Sequence, residues 1–233
     1  MKYAIMSDVH ANPAALKKAY ADAEEQKCEK FLFLGDVIGD GYDEKTAVDF
    51  LRDNFDVILM GNHESWSVDS KSIKPQDLRF DCENFSCVHG DCSVSDDCVP
   101  TFLDELCNLE IGSARITFSG HTHHACIWER NAKGDLRAIF DAPSDPDLQT
   151  RDSVTSSVED GCRYIVNCGS VGYPKLDLYS TYAIYDSDVN RIEIRRLPFD
   201  FLGYFQSMLA NAGMDNMPGW LLEEGIRRNN LGN

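Results

Sequence analysis

The chain has 233 residues, 43% hydrophobic and 26% charged, enough for one substantial core spanning residues 1–233 without a second domain. Its formal charge of −17 disfavours a groove for long nucleic acid, yet a small anionic substrate stays allowed wherever bound metal ions dominate the local field. No apolar run approaches membrane-spanning length and the N-terminal stretch lacks the apolar core of a signal peptide, so a cytoplasmic protein without a membrane partner is expected.

Lys2–Ser7 reads as a first strand ending in Asp8-Val-His10. In an extended backbone residues two apart face the same side, so Asp8 and His10 are expected to reach one ion. Asn12-Pro13 then caps a helix running to about Gln26, with Leu16, Ala19, Tyr20 and Ala23 inward. Phe31–Leu34 is a second strand, ending in Gly35-Asp36-Val-Ile-Gly39, and a helix over Asp43–Phe55 follows. The third strand, Asp56–Met60, is short and apolar and runs into Gly61-Asn-His-Glu64. Two strand–helix–strand units predict a parallel sheet with an acid or ligand at each strand end.

Ser65–Asp81 is polar without a period and reads as a loop, a candidate lid. Phe85–Val88 is a fourth strand ending at His89, a short helix is expected near Val99–Asn108, and Arg115–Ser119 is a fifth strand ending in Gly120-His-Thr-His-His124. Beyond it the pattern turns antiparallel: Cys126–Arg130 and Leu136–Phe140 form a hairpin, and Arg163–Val166 precedes Asn167–Gly172. Thr181–Tyr185 and Arg191–Leu197 are expected to close a second sheet. Asp141–Asp160 reads as a Pro/Ser/Asp-rich loop. Two amphipathic segments, Phe201–Ala212 and Pro218 to about Arg228, end the chain; they are expected to pack on the protein's own sheet, and a homo-oligomer contact there stays open. Nine cysteines at irregular spacing, with no Cys-x-x-Cys pair, are expected as reduced thiols packed like small hydrophobes.

Five of the six histidines, His10, His63, His89, His121 and His123, fall directly after predicted strands, beside Asp8, Asp36 and Asn62. For any one of them a hydrogen-bonded structural histidine is the ordinary reading; five with two aspartates and an asparagine are not. His124 lacks such support and reads as a surface group or one behind the ligands. Mixed imidazole and carboxylate donors suit divalent transition metals, Mn first, with Fe, Zn or Ni as alternatives. The donors are too many for one ion, and Asp36, central in the chain order, is the candidate bridge. Two ions ~4 Å apart polarise a phosphoryl group and generate hydroxide at neutral pH. His63, beside Asn62 and not needed as a ligand, can protonate the leaving oxygen.

Asp8-x-His10, Gly35-Asp36-x-x-Gly39, Gly61-Asn62-His63-Glu64, His89 and Gly120-His121-x-His123, in this order, resemble the calcineurin-like metallophosphoesterase superfamily. Within it the chain looks most like the small bacterial YfcE-related phosphodiesterases, through Asn167–Pro174 and the C-terminal segment as well. The resemblance implies an α/β fold, a four-layer αββα sandwich of two mixed sheets flanked by helices. It also implies two ion sites, one from Asp8, His10, Asp36 and His123 and one from Asp36, Asn62, His89 and His121. Two departures stand out: relatives often carry Asp at the Glu64 position, and Gly-Tyr-Gly-Pro where this chain has Gly39-Asp-Gly-Tyr42. The leading reading is hydrolysis of a small phosphodiester or nucleotide. A dinucleoside polyphosphate hydrolase, a protein phosphatase and a non-catalytic scaffold are ranked below it.

Overall fold

The computed structural model describes residues 1–66, 79–90, 114–142, 152–174, 179–211, 219 and 221–223. The expected helix near residues 99–108, most of the candidate lid and most of the segment 218–228 lie outside them.

Alternation along the first strands builds the layers. In β1 (Lys2–Met6) and β2 (Lys30–Phe33), Ala4, Met6, Phe31 and Phe33 point to one face and Ile5 and Leu32 to the other. The first face receives α1 (Pro13–Glu25) and α2 (Glu44–Asn54) through Leu16, Ala19, Ala47 and Leu51. Both helices begin where expected: the Asn12 side chain accepts from Ala15 N at 3.2 Å, and Asp43 accepts from Thr46 N at 3.1 Å. α1 is tied to the sheet at its far end, where Arg195 donates to both Asp22 carboxylate oxygens, at 2.8 and 3.0 Å.

The second face packs on another sheet. Ile5, Leu32, Phe85, Phe118, Tyr164 and Tyr185 meet in this inter-sheet core. Sheet one has the order β3-β2-β1-β11-β12-β9, with β3 at Val57–Ile58, β9 at Ser153–Ser157, β11 at Tyr179–Asp186 and β12 at Arg191–Pro198. Sheet two has the order β4-β5-β6-β10-β7-β8: Arg79–Asp81, Phe85–Val88, Ile116–Ser119, Arg163–Asn167, Cys126–Arg130 and Leu136–Asp141. The result is an α/β fold of two mixed six-stranded sheets packed face to face with flanking helices.

The sheet memberships differ from expectation. β11 and β12 join sheet one, with β11 antiparallel to β1 in the register Lys2↔Asp186 to Ile5↔Ala183. β5 and β6, the fourth and fifth strands read from the sequence, lie in the second sheet. Two strands arise inside segments read as loops, β4 and β9, each at a sheet edge. The expected hairpin β7–β8 is present.

Each sheet keeps a parallel core, β1, β2 and β3 in one and β5, β6 and β10 in the other. The carboxyl ends of these strands gather on one side of the molecule. Near them α4 (Phe201–Asn211) packs Phe201, Tyr204 and Met208 with Leu221 against Tyr42 and Phe199, so this apolar face rests on the protein's own body. No helix among the described residues is long and apolar enough to cross a membrane.

Candidate metal centre

All eight residues singled out from the sequence converge at those strand ends. Sheet one contributes Asp8, His10, Asp36, Asn62 and His63, and sheet two contributes His89, His121 and His123. Three groups among the described residues have ligand atoms all within 4.8 Å of one another: Asp8, His10 and His123; Asp36, His89 and His121; and, on the open side, His10, Asp40 and His63.

The route by which Asp8 and His10 converge is not the one expected. Their φ angles are 56° and 45°, left-handed rather than extended, and Asp36, His121 and His123 share this conformation at 59°, 68° and 60°. Such backbone is strained for non-glycine residues and persists only where surrounding bonds over-determine it. Here they do. Asp8 N donates to Gly35 O at 3.0 Å, Val9 N and His10 N donate to Asp36 O at 2.8 and 3.0 Å, and Gly172 N donates to Asp8 O at 3.0 Å. Gly120 permits a close approach between sheets: a Cβ there would sit 2.0 Å from Ser7 Oγ and 2.5 Å from Asp8 Oδ2.

Asp8 accepts from His121 N at 3.0 Å through Oδ2, and its Oδ1 lies 3.2 Å from His123 Nε2. His123 Nδ1 faces Tyr173 O at 2.7 Å, which places its proton there and leaves Nε2 as a donor of electrons to the site. Asp36 Oδ1 accepts from His63 N at 2.9 Å, while Oδ2 lies 3.2 Å from His89 Nε2 and 3.9 Å from His10 Nε2. One oxygen thus faces the first two groups, as a bridge requires. Asn62 Oδ1 stands 2.9 Å from His89 Nε2 and 2.8 Å from His121 Nδ1.

The electrostatics are those of a cation site. Burial raises the Asp8 carboxyl, but His123, then His10 and His89, outweigh it and hold it well below the ordinary range. Burial likewise raises Asp36, and the facing His89 brings it down to about 2. Burial pulls the His89 imidazole down, yet Asp36, helped by Asp8 and Glu64, lifts it to about 9. Facing imidazoles thus stabilise two buried carboxylates, a role that a bound cation would take over. Asp8 Oδ1 is fully buried with no hydrogen-bond donor, the state of an oxygen shaped for an ion. His124, as expected, stands apart from the donor set and pairs with Asp141.

Glu64, which the sequence marks only as a departure from the Asp of relatives, serves the loop that carries Asp36. Asn62–Trp66 forms a short helix, α3, which buries Glu64 to 1% exposure. Its Oε2 accepts from Asp36 N and Gly61 N, each at 2.8 Å, and Oε1 accepts from Val37 N at 2.7 Å and Ile38 N at 3.2 Å. One carboxylate thus locks the loop that carries Asp36. The three-residue step from Gly61 to Glu64 is the only trace of this in the chain. Glu64→Ala is expected to cost about 3 kcal/mol or more of stability, with Glu64→Gln in between, because a buried charged acceptor leaves four donors behind. Urea denaturation measures it, and a change under ~1 kcal/mol would contradict the role.

The calcineurin-like phosphoesterase superfamily domain matches residues 1–190. An uncharacterized protein of Methanocaldococcus jannaschii, MJ0912, is 25% identical over 94% of this chain and 95% of its own length. A metallophosphoesterase from Sphaerobacter thermophilus superposes with a TM-score of 0.72 at 23% identity, covering 95% of this chain and 97% of that one. A hypothetical protein from Pyrococcus horikoshii, PH1004, gives a TM-score of 0.61 at 13% identity over 95% of this chain and 96% of its own. Ordered motifs, two packed sheets and buried His/Asp groups agree with that match: the chain belongs to the calcineurin-like phosphoesterase superfamily.

Proposed function

We propose that the chain is a phosphoesterase dependent on two divalent transition-metal ions, acting on a small phosphodiester or nucleotide. The observation that carries it is the buried Asp36 Oδ2, which stands 3.2 Å from His89 Nε2 in one donor group and 3.9 Å from His10 Nε2 in the other. Asp8, His10, Asp36 and His123 would hold one ion; Asp36, Asn62, His89 and His121 would hold the other. The donors are imidazole and oxygen, a set that suits Mn, Fe, Zn or Ni. Bound there, the ions would supply Lewis-acid polarisation of a phosphoryl oxygen and acidify water at neutral pH.

The remaining work falls to His63. Its backbone N–H is fixed by Asp36, its ring stands edge-on to His10 at 4.7 Å between centroids, and its side chain is 19% exposed. It can hold a proton on the open side of the site and pass it to the leaving oxygen. The chain acts as one domain in this reading: β12, which begins beyond the family match, pairs with β11 and β9, and α4 packs on Tyr42 beside the site.

Small substrates are favoured because, among the described residues, little positive charge surrounds the donors. Arg79 is the one described basic residue among those near the candidate lid, and its guanidinium faces Asp81 at 2.7 Å. A polymer would meet an acidic surface with most of its phosphates. A nitrophenyl phosphodiester should be hydrolysed only with metal, chelation abolishing turnover and Mn²⁺ restoring it; indifference to chelator would sink the reading. At equal linkage concentration, kcat/KM for a dinucleotide should exceed that for a long single strand. A preference for the strand that weakens steeply with salt would overturn the size argument.

A further inference from the structure

Asp40 stands outside the seven proposed ligands, on the loop that follows β2. Its φ is 52°, and the loop is pinned from three sides. The Tyr204 hydroxyl of α4 donates to Asp40 O at 3.1 Å, and Tyr42 N and Asp43 N both donate to Ala11 O, at 3.1 and 3.0 Å. Gly41 lies so close to the first loop that a Cβ there would sit 1.9 Å from His10 O. The half-exposed Asp40 carboxylate is delivered beside His10: its Oδ2 is 3.8 Å from His10 Nδ1 and 3.9 Å from His63 Nε2.

His10 has an unmet need. It is 2% exposed, its Nε2 faces Asp8, Asp36 and His123, and its Nδ1 has no hydrogen-bond partner. A neutral imidazole that offers Nε2 to an ion carries its proton on Nδ1 and needs an acceptor there. His123 meets the same need with Tyr173 O at 2.7 Å. For His10 the neighbouring acceptor is Asp40.

We propose that Asp40 is a positioning residue that accepts the Nδ1 proton of His10, fixing the tautomer and ring orientation in which Nε2 serves the ion. It requires Oδ2 to close from 3.8 Å to about 3 Å, within reach of a side chain exposed on one side. The inference rests on the two-ion reading above. It also gives the departure from Gly-Tyr-Gly-Pro a physical content: the added acid supports a ligand.

Calorimetric Mn²⁺ titration of the metal-free protein tests it, on wild type, Asp40→Ala and Asp40→Asn, with thermal melts of each as a check on folding. Asp40→Ala should weaken one of the two ions about 10–100-fold, the usual effect of removing a carboxylate behind a ligating histidine. Asp40→Asn, which keeps an acceptor oxygen, should restore most of the affinity. Unchanged binding by Asp40→Ala, even with reduced turnover, would overturn the proposal and point to His63 as the partner. Asparagine as weak as alanine would also overturn it, because charge and not the acceptor would then matter. Wild-type protein that binds no ion would overturn the metal reading itself, an outcome seen before any variant is compared.

Discussion

Replacing Asp36 with alanine is expected to empty both ion sites together and to lower turnover by on the order of 10³-fold or more. The reason is geometric: the same Oδ2 faces His89 at 3.2 Å and His10 at 3.9 Å, so no donor remains common to both groups. His123→Ala removes a donor from the Asp8 group alone and should cost mainly one ion. Elemental analysis after metal loading and gel filtration measures both. Loss of the same single ion in the two variants would contradict the bridge. Asp36 sits at φ 59° and 1% exposure, so alanine also removes the acceptor of His63 N. Asp36→Asn keeps an oxygen for that bond and loses the charge, which separates metal binding from loop integrity.

His63→Ala should behave in the opposite way, leaving the ions in place and lowering turnover by ~10²–10⁴-fold, the range for a lost acid–base group. Only the ring is removed; the main-chain N–H that donates to Asp36 Oδ1 at 2.9 Å survives the substitution. The loss should be small for nitrophenyl esters, whose leaving groups need little protonation, and large for alkyl or nucleoside esters. An equal loss across leaving groups would remove His63 from the role of general acid.

The candidate centre was legible because its residues obey one rule, chemistry at the carboxyl ends of parallel strands, and because short apolar strands mark those ends clearly. The backbone that delivers Asp8 and His10 was not legible. Alternation along a strand would have aimed both residues correctly for the wrong reason; a left-handed turn held by the Asp36 carbonyl does so instead. Sheet membership failed for a related reason. β1 finds its antiparallel partner in β11, with Lys2 opposite Asp186, and nothing local to either strand announces so distant a neighbour. The two strands missed, Arg79–Asp81 and Ser153–Ser157, are short or polar edge strands that bury few side chains, so periodicity had little to report. Glu64 was visible as a residue, yet three of its four backbone donors, Asp36 N, Val37 N and Ile38 N, come from a loop brought to it only by folding.

The arrangement of donors across the seam between the sheets has a consequence for assembly. In the proposed allocation each ion draws ligands from both sheets, and the bond from His121 N to Asp8 spans 113 positions of chain. Neither half-structure could chelate an ion with full affinity, so tight capture must wait until the two sheets have docked. Metal occupancy would then be a reporter of completed folding, and chelation would act as a late clasp that discriminates finished molecules from half-built ones.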